Sequence, residues 1–104
     1  MVPVVENRTS IVGVVRSMAP ADAEGAQVAL DLEVEATAPV EGYPDLVSQH
    51  VAEDGSLTVV ARRDEVPEGD LVGWRVRGQA ALAGPGVVRL VTYGPDAAEF
   101  TPPE

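Results

Sequence analysis

The sequence predicts an all-β domain, a small five-stranded antiparallel barrel, and three observations carry that reading. Apolar and polar residues alternate strictly over 26–36, the pattern of a strand with one face in a core and the other in water. Valine leads the apolar residues, and its branched Cβ suits a pleated strand better than a helix. Turn signals rich in Gly, Pro and Asp separate short apolar runs with no helical crossovers between them, so the β–α–β alternation of a parallel sheet is missing. At 104 residues the chain has room for one domain, read here as 1–104 with short flexible ends at 1–7 and 95–104.

The first strand is read at 9–18, TSIVGVVRSM. Gly13 inside it marks a bend, a bulge or a close approach of another backbone. The acidic, turn-rich link 19–25 makes a hairpin with the second strand, 26–36. There Val28, Leu30, Leu32 and Val34 fall on one face, and Gln27, Asp31, Glu33 and Glu35 on the other.

Residues 37–43 read as loop. The stretch at about 44–53 fits a short helix, with Pro44 early, Asp45 in the first turn and Gly55 just beyond its end; an extended conformation fits it as well. The third strand follows at 56–63 (SLTVVARR), and 64–70 is an acidic connection. In 71–83 Val72, Trp74 and Val76 share a face, which predicts Trp74 as the central ring of the core, with Gly73, Arg75 and Arg77 opposite. Gly84-Pro85-Gly86 is a turn, 87–93 is the last strand, and the remainder is a tail with little to hold it. A sheet this small must hide its edges. A closed or nearly closed barrel does so, and a sandwich is the other small all-β solution.

Seventeen acidic residues against seven basic ones give a formal charge of −10, and all seven bases are arginine. The mean field therefore repels polyanions at ordinary ionic strength. There is no cysteine, hence no disulfide framework or thiolate chemistry. The N-terminus lacks the basic start and apolar core of a secretory signal, and the longest apolar run, about five residues, falls far short of a membrane span. The expectation is a cytoplasmic protein without membrane contact.

His50 is the only histidine. Ser48 lies two residues before it, yet no nucleophile elbow or oxyanion glycine pattern accompanies the pair. No catalytic residues, metal ligands or cofactors are predicted, and the chain is read as non-enzymatic.

Two strand faces are candidate binding surfaces. Asp31, Glu33 and Glu35 form an acidic row spaced about 6.6 Å apart. A straight row does not converge on a hard cation, so it reads as a solvated face with Arg16 and Arg62 as counter-charges, or as a surface for a basic partner. Arg75, Arg77 and Arg89 lie on strands expected to pair and predict a local positive patch suited to phosphate or carboxylate. Tyr43, in a loop, is placed to stack on a ligand or cap the barrel.

Ile11-Val12-Gly13-Val14-Val15 resembles the opening strand of the oligonucleotide/oligosaccharide-binding (OB) barrel. Gly69-Asp70 leading into Trp74-Arg75-Val76-Arg77-Gly78 resembles that family's approach to its fourth strand, and the hairpin closed by Gly84-Pro85-Gly86 resembles its last two strands. The resemblance spans 8–94 and implies a ligand-binding barrel. Together these readings predict a binding or accessory module that engages a protein partner or self-associates through strand edges. The alternative is single-stranded nucleic-acid binding through the arginine face, which the net charge disfavours.

Overall fold

The computed structural model describes residues 6–104. The chain is all-β, with six strands among the described residues: β1 (Thr9–Pro20), β2 (Gln27–Pro39), β3 (Ser56–Arg62), β4 (Arg75–Gly84), β5 (Val87–Leu90) and β6 (Glu99–Thr101). Their order in the sheet is β1-β2-β3-β5-β4-β6, and β4 also pairs with β1, so the first five strands close into a ring. Every pairing is antiparallel except the one between β3 and β5. That seam is a single parallel bridge, Val60 to Arg89, where an all-antiparallel sheet was expected. It follows from closure, which lays β5 beside β3 in the same direction.

The alternation seen in the sequence is what places the core. Ile11 and Val15 of β1, Val28, Leu30 and Leu32 of β2, Leu57, Val59 and Ala61 of β3, Val76 and Ala80 of β4, and Val88 and Leu90 of β5 all point inward and are buried. Each large one contributes about 1.5–3 kcal/mol relative to exposure. Gly13 fulfils its sequence reading. A Cβ there would sit 2.7 Å from the Glu33 carbonyl oxygen, at a register shift between β1 and β2, so only glycine lets the two backbones approach.

Loops plug the two ends of the ring. The 40–55 loop inserts Val47, and the 63–74 loop inserts Val66 and Leu71. The helix expected at 44–53 is a single 3₁₀ turn, Ser48–His50. Asp45 explains this: its carboxylate accepts the Val47 and Ser48 amides, closing a local turn that competes with a longer helix. The chain is extended again at Val51.

Trp74 is half-buried and packs against the rim of the core instead of its centre, and Val72 is exposed. Residues 71–74 form a turn, closed by the Trp74 amide on the Leu71 carbonyl at 2.9 Å, with Gly73 at φ +91°. This is the positive φ that a type II turn requires at its third residue. The turn resets the alternation, so β4 begins at Arg75.

The tail is held. After β5 the chain loops out over 91–98 and rejoins the same edge of β4 as β6, with Arg75, Val76 and Arg77 opposite Thr101, Phe100 and Glu99. Phe100 packs against the core. Gly78 makes room for the return, since a Cβ there would lie 2.7 Å from the Ala98 Cα. Tyr93, expected to end the last strand, is 65% exposed in this loop. Of the end expected to be flexible at 1–7, residues 1–5 lie outside the described residues. Asn7, however, is buried and bonded to both backbone groups of Leu82, at 3.0 and 2.7 Å. Among the described residues no helix is long and apolar enough to cross a membrane.

Candidate functional site: the outer faces of the ring

Because β-strand side chains alternate, the residues not in the core form the outer wall. The arginines expected to make one patch do not. Arg75 and Arg77 are exposed neighbours on β4, beside Val14 and Val12 of β1. Arg89 lies opposite Ala81, four residues beyond Arg77, which is about 13 Å along the strand. Its guanidinium donates to the Gln27 side chain at 2.9 Å. Arg75 is engaged by the Glu35 carboxylate at 3.3 Å.

Tyr43 is half-buried, and its ring lies under the Arg8 guanidinium, 5.6 Å from the centroid. Arg8 also donates to the Gln79 side-chain oxygen at 2.9 Å. Gln79 alternates with Arg77 and Arg75 on β4, so this face gathers Arg8, Arg77 and Arg75 in place of Arg89. The sequence offered no sign of Arg8, because only ring closure through β1 and β4 brings it there.

The acidic row is interleaved with cations, of which Arg16 is the one expected and Arg75 replaces Arg62. Arg16 pairs with Asp31 at 3.2 Å, and Glu35 takes Arg75. Arg62 instead pairs with Asp64 at 3.1 Å, because its register partner on β2 is Gln27, four residues from Asp31. Glu33 is exposed. Such partly solvated pairs contribute about 0–1 kcal/mol each, so they shape the surface field more than the stability.

The Ser48 hydroxyl is engaged away from His50. The Ser48 hydroxyl donates to the Asp45 carboxylate and lies 3.2 Å from the Thr37 hydroxyl, while His50 is exposed at the end of the turn. Asp45 also accepts the Thr9 hydroxyl at 2.6 Å. The Ser48 hydroxyl first, then the Thr9 hydroxyl, hold its carboxyl at a pKa of about 2. The Ser56 hydroxyl and amide likewise lower Asp54. Among the described residues, no three His, Cys, Asp or Glu side chains gather as a metal site.

At the other end of the ring, a groove of about 230 Å³ runs between the β1–β2 hairpin and the 63–74 loop, with Met18, Val28 and Arg63 in its wall. No family model, curated protein or solved structure matches this chain.

Proposed function

We propose that this chain is a non-enzymatic binding module whose partner is a protein with a basic surface, docked on the outer face of β2 and β3. The ring order β1-β2-β3-β5-β4-β1, with its parallel seam, supports an OB-type barrel. In that fold the face of strands 2 and 3, flanked by the 1–2 and 4–5 loops, binds the ligand. Here Asp31 and Glu33 on β2 stand beside Thr58 and Ser56 of β3 on that face. The 1–2 loop adds Asp22 and Glu24, and the 4–5 loop is only Pro85-Gly86.

The observation that carries the reading is the engagement of the arginines within the chain's own surface. Arg16, Arg62 and Arg75 each meet a carboxylate. Arg63 donates to the Pro67 and Gly69 carbonyls, and Arg89 donates to Gln27. With a net charge of −10, the wall left to solvent is acidic, which steers cationic partners inward and polyanions away.

The test is affinity capture of the tagged chain from extract of its native cells, beside a Glu33→Lys, Asp31→Lys variant. A stoichiometric basic protein held by the parent and lost by the variant supports the reading. Absence of any stoichiometric protein, or equal capture by both, counts against it.

A second reading, single-stranded nucleic-acid binding, has one observation in its favour: Arg8, Arg75 and Arg77 share the outer face of β1 and β4 with Tyr43 beside them. Its test is a titration with labelled oligonucleotide at low salt.

A further inference from the structure

The 63–74 loop closes one end of the ring, tied to it by the Arg63 amide on the Ala26 carbonyl, the Gly73 amide on the Val15 carbonyl and the Thr92 hydroxyl on Glu65, and two further clasps shape it. The buried Leu71 donates its amide to the Met18 thioether sulfur at 3.2 Å. Arg63 donates to the Pro67 and Gly69 carbonyls at 2.7 and 3.0 Å. Thioether sulfur is a weak acceptor, so one clasp is held by a soft atom. Met18 is only half-buried, and it lines the open groove that Arg63 also lines. A peroxide can therefore reach it.

We propose that Met18 is a site of reversible oxidation and that its sulfoxide unclasps the 63–74 loop. A peroxide oxygen transfers to Sδ; the thioether is oxidised by two electrons to the sulfoxide, the O–O bond breaks, and the peroxide is reduced to water or an alcohol. The sulfur lone pair facing the Leu71 amide at 3.2 Å has no room for an added atom, so the oxygen enters at the other lone pair, on the groove side, and draws electron density from an already weak acceptor. There the polar oxygen meets Arg63 and competes with Pro67 and Gly69 for its donors. Both clasps loosen, and Leu71 loses its fixed seat over the core while the bonds at Glu65, Gly73 and Trp74 stay in place.

Hydrogen exchange after treatment with hydrogen peroxide tests this, with peptide mapping to locate the oxygen and added free methionine as the reference for reactivity. The expected result is oxidation of Met18 at a rate comparable to free methionine. Exchange of the Leu71 amide then rises about fivefold or more, the loss of one hydrogen bond, and methionine sulfoxide reductases reverse it. Met18→Leu, which keeps the bulk and removes the acceptor, is expected to show the faster exchange without peroxide and no response to it. Resistance of Met18 where free methionine is consumed would overturn the proposal. So would a Met18 sulfoxide whose Leu71 amide exchanges at the parent rate.

Discussion

The Asp45 carboxylate accepts a hydrogen bond from the Thr9 hydroxyl at 2.6 Å, tying the 40–55 loop to the first residue of β1. The same carboxylate holds the Val47 and Ser48 amides, and Val47 is the apolar plug at this end of the ring. One side chain therefore organises the turn and anchors it.

This relationship sets a pH dependence. The folded-state pKa of Asp45 is about 2 against 3.8 for the free group, so its contribution is complete above pH 3.8 and is lost as pH falls through 2. Urea unfolding of the parent between pH 5 and pH 2 is expected to show a steeper loss of stability than that of Asp45→Asn. The two curves should converge at the acid end. Parallel curves would show that the carboxylate's charge does not matter to this loop.

Asn7 acts as an added rung of the ladder, donating to the Leu82 carbonyl and accepting the Leu82 amide. Asn7→Ala removes both bonds and leaves those groups without that partner, at a cost of about 1–3 kcal/mol. Thermal or urea unfolding measures it.

Gly13 and Gly84 make a matched pair. Gly13→Ala forces a methyl against the Glu33 carbonyl and is expected to destabilise by about 1–3 kcal/mol. Gly84→Ala meets nothing within 4 Å, and Gly84 has no positive φ; its effect is expected to stay within about 0.5 kcal/mol of zero or to stabilise slightly. Comparable losses in both would contradict the close crossing of β1 and β2.

Phe100→Ala removes the one large side chain of β6, and a loss of about 2 kcal/mol is expected for a partly buried ring. Amides of Arg75 and Arg77 that flank β6 should exchange faster in the variant. Unchanged stability would mean that the tail does not brace the ring.

Much of this architecture was legible because alternation reports burial directly. Val28, Leu30 and Leu32 point inward over β2 as their spacing requires, and Gly13 sits at a close crossing as a glycine inside a valine run implies. What escaped was whatever depends on a turn or on a distant strand. The Gly73 turn breaks the phase between Val72 and Val76, so Trp74 moves to the rim. The three residues of β6 are too few to alternate. Asp45 replaces a helix by one turn through side-chain bonds that no periodicity reveals. Arg89 was expected beside Arg75 and Arg77, but strand pairing alone does not fix how far along β4 each one lands. Arg8 reaches the same face only because the ring closes.

On the proposed reading the outer wall, with Arg16, Arg62 and Arg75 held by its own carboxylates, presents acid to a protein partner. The most direct test is fluorescence anisotropy of labelled single-stranded DNA and RNA titrated with the chain at about 20 mM salt, where screening is weak. A flat titration is expected with both. Saturable binding that weakens steeply with salt and disappears in Arg75→Ala, Arg77→Ala would contradict it.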